Sequence, residues 1–84
     1  MELKDTVTLM NSENYQDRFK AEYWQIKIRC EKLHRLIVQY EAGTLNFRAS
    51  CPLDLLKKQQ AAMNEYLNQL EIRAEIECID LSAN

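Results

Sequence analysis

Two stripes of mostly apolar residues, each repeating at steps of three and four, constrain the fold of this chain more than any other feature. The first precedes the single glycine and the second follows the single proline; their members are Phe19, Tyr23, Ile26, Cys30, Leu33, Ile37 and Tyr40, then Leu53, Leu56, Gln60, Met63, Leu67, Leu70 and Ala74. Such steps place each set on one face of an α-helix. Two helices of this kind, joined by a short link, bury those faces against each other as an antiparallel hairpin.

The pattern therefore predicts a single all-α domain over residues 1–84, built as a coiled-coil-like two-helix hairpin with a short N-terminal helix. The predicted segments are a helix over about 2–11, a long helix over about 15–42, a loop over 43–51, a long helix over about 52–78, and a frayed tail over 79–84.

Capping residues support these boundaries. Ser12 or Asn14 is expected to cap the first long helix, since their side-chain oxygens accept free N–H groups of a first turn. Gly43 is expected to end that helix in the left-handed conformation. Pro52 suits the first position of the next helix, where its missing N–H costs nothing. Phe47 is expected to pack under the end of the hairpin, as is Leu45.

Size and charge exclude several classes of protein. The chain has 84 residues and a net charge of −2, so it lacks the positive excess of a general nucleic-acid binder. No apolar run approaches the roughly 20 residues needed to cross a bilayer. Three cysteines without a C-x-x-C pair fit a reducing cytosol better than a disulfide framework.

A second set of apolar residues lies away from the two stripes and predicts self-association. Trp24 and Ile28 lie on the back of the first long helix, and Ile72, Ile76 and Ile79 form a row near the end of the second. A large exposed apolar patch on a small protein usually marks an interface, and symmetric homo-oligomers are its commonest form. Alternatively, the N-terminal helix covers the patch within one chain. The predicted interface comprises Leu3, Val7, Met10, Trp24, Ile28, Ile72, Ile76 and Ile79.

Residues that indicate catalysis are nearly absent from the sequence. The single histidine, His34, has no cluster of metal-ligand residues around it in the sequence. Cys30 lies four residues before it, but on the buried stripe, so it is interpreted as a core residue. One glycine cannot form a phosphate-binding glycine-rich loop. We therefore predict no catalytic residue, no metal site, no cofactor and no enzymatic activity.

A local excess of positive charge in the first long helix suggests an anion site. Arg29, Lys32 and Arg35 are predicted to bind phosphate, because guanidinium and ammonium groups form strong charge-assisted hydrogen bonds to it. Trp24 and Tyr23 are the predicted platforms for base stacking. The alternative is a solvated helix face with one ion pair, Glu31–Arg35, and aromatic residues that belong to the core.

Nearly the whole chain resembles a family of small phage and prophage accessory proteins, which includes related helical proteins of crAss-like phages. The segments that carry the resemblance are MELKDTVTLM at the start, NYQDRFKAEYWQIKIRCEKL (14–33), YEAGTLNF (40–47) and CPLDLLKKQQAAMNEYLNQLEIRAEIE (51–77). Members of that family often carry arginine after the Cys-Pro pair, where this chain has Leu53. The resemblance implies a phage-encoded accessory protein in the cytoplasm of the bacterial host, and assigns no functional residues.

Three hypotheses of function follow. The leading one is a non-enzymatic homo-oligomer that counters host defence by sequestering a cyclic or modified nucleotide signal, by analogy with other small phage proteins. The second is a helical interaction protein that inhibits a host or phage protein, which a pull-down would reveal. The third is a nucleic-acid binder, whose affinity would fall steeply with salt. No membrane partner is expected.

Overall fold

The computed structural model describes residues 1–83 and consists of a short 3-10 turn and three α-helices. The turn covers Leu3–Asp5, α1 covers Thr6–Met10, α2 covers Tyr15–Ala42 and α3 covers Leu53–Glu77. No strand occurs in residues 1–83, so the prediction of an all-α fold is confirmed. The two long helices, α2 and α3, pack against each other as the legs of a hairpin.

Both ends of α2 are fixed by their capping residues. The Asn14 side-chain oxygen accepts a hydrogen bond from the Gln16 N–H at 2.9 Å, which satisfies one free donor of the first turn. At the other end Gly43 has a φ of 74°, and its N–H bonds to the Tyr40 carbonyl. Glycine suits this left-handed position because it has no Cβ, which at positive φ would crowd the residue's own backbone.

The loop and the start of α3 differ from expectation in two details. Pro52 lies just before the helix rather than in its first turn, because its ψ of 146° is extended. Phe47 does not pack under the hairpin and is 60% exposed, whereas Leu45 is half-buried. The prediction that Phe47 packs under the end of the hairpin was therefore wrong. Its ring instead lines an open concavity formed by the loop.

The two stripes meet in one core that occupies the middle and the open end of the hairpin. Leu70 is 1% exposed and Phe19 2%, and they form a cluster with Tyr23, Cys30, Leu67, Ala74 and Ile79. Trp24, Ile26, Met63 and Leu81 pack at the edge of this cluster. Burial of apolar surface is the main stabilising term for so short a chain.

The N-terminal helix packs on its own chain. Thr6 is 1% exposed, and its hydroxyl donates to the Leu3 carbonyl at 2.7 Å and accepts from the Gln25 amide at 3.1 Å. Because the buried Thr6 hydroxyl both donates and accepts a hydrogen bond, its burial between α1 and α2 leaves no polar group unpaired. In residues 1–83, α1 contacts α2 but not α3, and Gln25 of α2 bonds to Thr6 and Met10.

The segment after α3 folds back onto the hairpin instead of fraying. Cys78 takes a left-handed conformation with a φ of 57°, and the Ile79 N–H then bonds to the Ala74 carbonyl at 2.9 Å. Ile79 is 9% exposed, and the Trp24 indole N–H donates to the Leu81 carbonyl at 2.8 Å. The prediction of a frayed tail was thus wrong for residues 79–81; Asn84 lies outside the described residues.

These contacts divide the predicted interface. Ile28 and Ile79 are buried within the chain, Trp24 and Leu3 are half-buried, and the remaining four are exposed: Val7, Met10, Ile72 and Ile76. The patch predicted at the open end is therefore covered in part by the chain itself, since the tail packs beside Trp24. Sequence periodicity could not show this, because it gives the face of a helix but not the path of the chain that follows.

The contact between the tail and Trp24 gives a direct prediction. Leu81→Asp should shift the fluorescence of Trp24, the only tryptophan, to longer wavelength, because a charge placed beside the core lets water reach the indole. It should also lower the free energy of unfolding by about 1–2 kcal/mol. Ala83→Asp, at an exposed position of the same tail, is the matched control. Equal spectra for the two variants would contradict the tail contact.

Candidate functional site

A groove of about 840 Å³ runs between α2 and α3 along one flank of the hairpin. This volume lies within the range of known small-molecule sites, about 300–1,000 Å³. We call it the groove; it is lined by Lys27, Cys30, Glu31, His34, Arg35, Val38 and Gln39 of α2 and by Gln60, Asn64 and Leu67 of α3. Cationic and amide side chains thus surround a floor that is partly apolar.

Polar contacts across the helices hold the two walls of the groove in register. The Cys30 thiol donates to the Asn64 side-chain oxygen at 3.3 Å, and the Gln60 amide lies 2.8 Å from Nδ1 of His34. When Nδ1 accepts from that amide, the ring proton lies on Nε2, which then is a donor. The groove thereby combines one imidazole donor with carboxamides that can pair with the edge of a base.

Two cationic side chains, Lys27 and Arg35, line the groove, and only Lys27 has an acidic partner among residues 1–83. Lys27 and Glu31 form an ion pair at 4.0 Å, one turn apart on α2. The Glu31–Arg35 pair predicted from the sequence is not formed, and in residues 1–83 Arg35 has no ion pair. Arg35 can therefore offer its guanidinium to an anionic ligand without breaking an internal bond.

The groove continues toward the loop. A second concavity of about 630 Å³ shares His34, Val38 and Gln60 with it. At its far end Lys57 and Glu41 form an ion pair at 2.8 Å. At the opposite end the Tyr23 hydroxyl donates to Glu71 at 3.2 Å. The open length of the flank therefore lies between these two cross-helix contacts.

Of the three cations predicted to bind phosphate, the structure brings only Arg35 to the groove. Arg29 and Lys32 are exposed on other faces of α2 and do not line it. The local charge excess is divided between faces, because a spacing of three residues turns each cation about 60° from the one before it, and Arg29 lies about 120° from Arg35 around the helix.

Neither aromatic residue predicted as a stacking platform lines the groove. Tyr23 is 7% exposed in the core, and its ring meets that of Trp24 edge-to-face at 5.5 Å between centroids. Burial, and then the nearby Glu71, raise the pKa of Tyr23. Trp24 is half-buried and bonded to the tail. The structure thus assigns both rings to packing within the chain, in agreement with the alternative interpretation.

Several groove residues that were not predicted as ligand contacts directly follow a stripe residue on α2: Lys27 follows Ile26, and His34 follows Leu33. Asn64, which the sequence offered only as a weak candidate for binding a base edge, follows Met63 on α3 in the same way. The residue after a buried one lies about 100° further around its helix. In two antiparallel helices that face each other, this step reaches the same flank of the hairpin on both. Reading that position on both helices together would have located the groove.

The thiol of Cys30 at the floor of the groove is suited to packing. It is 6% exposed, and desolvation by burial raises its pKa. A raised pKa keeps the sulfur protonated at neutral pH, so it acts as a hydrogen-bond donor to Asn64 rather than as a nucleophile. Cys51 and Cys78, by contrast, are exposed.

Residues 1–83 contain no group of three or more His, Cys, Asp or Glu side chains placed to hold a metal ion. Among these residues there is also no helix with the length and apolar character that a membrane crossing requires.

Comparison with known proteins gives one match. The family model described as Sequestin matches residues 13–76, which include all of α2 and nearly all of α3. The chain belongs to the Sequestin family. Searches of curated proteins and of solved structures find no match. The Sequestin name is consistent with a sequestering protein, and the matched segment contains every residue that lines the groove.

Proposed function

We propose that this Sequestin-family chain is a non-enzymatic, phage-encoded protein that sequesters a nucleotide signal of bacterial defence. In this proposal the ligand is a cyclic or modified nucleotide, which binds intact in the groove between α2 and α3. The protein acts as a homo-oligomer in the cytoplasm of the bacterial host. Sequestration needs affinity and abundance but no chemical step, so a site that binds the ligand and releases it intact is sufficient.

The composition of the groove is the observation that carries this proposal. A nucleotide presents phosphate oxygens, a flat base and sugar hydroxyls, and each has a suitable partner there. Arg35 and Lys27 can bind phosphate, the carboxamides of Gln60 and Asn64 can pair with a base edge, and Leu67 offers apolar contact. Glu31 can accept hydrogen bonds from hydroxyl groups of the sugar.

A binding and recovery experiment tests the proposal. The purified chain is titrated with a panel of cyclic dinucleotides, cyclic trinucleotides and cyclised or conjugated ADP-ribose compounds, using thermal shift and calorimetry. We expect one class to raise the melting temperature, because a ligand that binds only the folded state stabilises it. Denaturation should then release the ligand with its mass unchanged. A panel without any binder, or a ligand released in cleaved form, would contradict the proposal.

A further inference from the structure

The open concavity formed by the loop between α2 and α3 is separate from the groove. Its volume is about 490 Å³, which lies within the range of known small-molecule sites, about 300–1,000 Å³. We call it the loop pocket; its walls include Tyr40 near the end of α2 and Leu45, Phe47, Arg48 and Ser50 of the loop. The loop pocket shares no lining residue with the groove or with the continuation of the groove toward the loop.

Contacts at both ends of the loop hold the walls of the loop pocket in place. The Gly43 N–H donates to the Tyr40 carbonyl at 3.2 Å, and the Thr44 N–H donates to the Gln39 carbonyl at 2.9 Å. These are the two bonds of a Schellman motif, which fixes the direction in which the loop leaves α2. On the other side, the ion pair of Lys57 with residue 41 joins the start of α3 to the end of α2. A ligand therefore meets a pocket whose ends are already fixed, which lowers the ordering cost of binding.

Two aromatic rings of the loop pocket have no partner ring within the described chain. Phe47 is 60% exposed and Tyr40 is 40% exposed, and neither belongs to the core cluster. Among residues 1–83, neither ring contacts another aromatic ring or a cation. Exposed aromatic faces bind flat ring systems by stacking and by burial of apolar surface. The two rings therefore favour a ligand that contains a flat aromatic group.

The charge of the loop pocket comes from one side chain. Arg48 is the only charged residue in the segment 43–52, and it forms no ion pair within residues 1–83. The acidic residues nearest to the loop along the chain do not neutralise it, since Glu41 is paired with Lys57 and Asp54 does not line the pocket. A guanidinium without an internal partner forms charge-assisted hydrogen bonds to phosphate or carboxylate. The loop pocket therefore favours a ligand with an anionic group.

We propose that the loop pocket binds a small aromatic anion, which is one flat ring system that carries a phosphate or a carboxylate. The ring lies against Phe47 and Tyr40, and the anionic group accepts hydrogen bonds from Arg48 and from the Ser50 hydroxyl. Nucleoside monophosphates and aromatic carboxylates share this chemistry. The site is additional to the nucleotide site proposed in the groove and does not depend on it.

Nuclear magnetic resonance of the full chain tests this site, because the chain contains one glycine and one tryptophan. Gly43 lines the loop pocket, so nitrogen-isotope labelling of glycine alone gives a single backbone signal there. The same labelling of tryptophan gives the indole signal of Trp24, which is bonded to the tail at the other end of the hairpin. The probes are adenosine monophosphate, adenosine and naphthoate.

We expect adenosine monophosphate to shift the Gly43 signal in a saturable way and to leave the Trp24 signal in place. Adenosine should bind at least about tenfold more weakly, because it lacks the anionic group that bonds to Arg48. Naphthoate distinguishes the two sources of ligand. Tighter binding of naphthoate than of adenosine monophosphate identifies aromatic acids as the preferred ligands, and the reverse order identifies nucleoside monophosphates.

Variants locate the bound probe in the loop pocket. Arg48→Glu should weaken binding of adenosine monophosphate at least about tenfold, and Phe47→Ala should weaken it about tenfold. Arg29→Glu and Leu55→Ala are the matched controls, since they make corresponding changes at exposed positions that do not line the pocket. Both controls should bind within about threefold of the unmodified chain, because only screened long-range effects remain. Circular dichroism of each variant shows whether the helices are intact.

The groove variant Lys27→Glu, Arg35→Glu separates this site from the proposed function. It should lose the ligand of the groove and still show the saturable Gly43 shift with adenosine monophosphate. Four results would overturn the loop pocket: no saturable Gly43 shift with either anionic probe, equal affinities for adenosine and its monophosphate, equal effects of pocket and control variants, or loss of the Gly43 shift in the groove variant.

Discussion

Leu70→Ala should destabilise the chain by about 3 kcal/mol, which is a large part of the total stability of so small a domain. Leu70 is 1% exposed at the centre of the core cluster formed by α2, α3 and the tail. Truncation removes the transfer free energy of its methyl groups and leaves a cavity that close-packed neighbours fill only in part. Urea unfolding followed by far-ultraviolet circular dichroism measures this change.

Ile72→Ala is the matched control for that experiment. Ile72 lies two residues further along α3 on its outer side and is 52% exposed. Its truncation should change the free energy of unfolding by less than about 1 kcal/mol, because little apolar surface is returned to water. Both variants are compared at one chain concentration, since dimerisation would add a concentration-dependent term. Similar losses at the two positions would contradict the assigned core.

Reversing the charge of both groove cations should abolish most ligand binding. The double variant Lys27→Glu, Arg35→Glu replaces two charge-assisted contacts to phosphate by two repulsions. With about 1.5–3 kcal/mol for each lost contact, the affinity for the nucleotide should fall at least about 100-fold. Calorimetry with the nucleotide identified from the panel measures this loss.

The control variant has the same net charge as the groove variant, but its two charge reversals lie outside the groove. Lys32→Glu, Lys58→Glu reverses two exposed lysines that do not line the groove. This variant should bind the nucleotide within about threefold of the unmodified chain, because only screened long-range attraction is lost. If both double variants weaken binding equally, the ligand is held by the overall charge of the chain and not by the groove.

The sequence predicted the elements of the fold because their signals are local. The stripes from Phe19 to Tyr40 and from Leu53 to Ala74 identify two helices with one buried face each. Asn14 and Gly43 fix the ends of α2 through bonds to their own neighbours. Such features depend on residues a few positions apart, and periodicity and capping preferences describe them directly.

The path of the tail depends on contacts that are distant along the chain and was not predictable in this way. Ile79 and Leu81 return to the core only because Cys78, a residue without glycine's freedom, takes a left-handed conformation. The bond from Trp24 to Leu81 then joins residues far apart in sequence. A short apolar tail with a charged Asp80 carries no periodic signal, so fraying was the expected behaviour.

The candidate site was located along the chain but not on the correct face. The basic segment around Arg35 was recognised, and Arg35 does line the groove. Arg29 and Lys32 were grouped with it because each is one helical turn from the next, but these steps move around α2 and only Arg35 lines the groove. Tyr23 and Trp24 were open to two interpretations, since an aromatic side chain on an amphipathic helix can pack in the core or bind a ligand, and the core is the more frequent role.

Native mass spectrometry of the chain, purified from bacteria with an active nucleotide-signalling defence, shows whether the groove holds a nucleotide. We expect an added mass equal to one intact nucleotide for each groove, which denaturation releases unchanged and which is absent from the Lys27→Glu, Arg35→Glu variant. An unmodified chain that carries no nucleotide, although the signal is demonstrably present in the cells, would contradict the proposed function, as would equal loading of the groove variant.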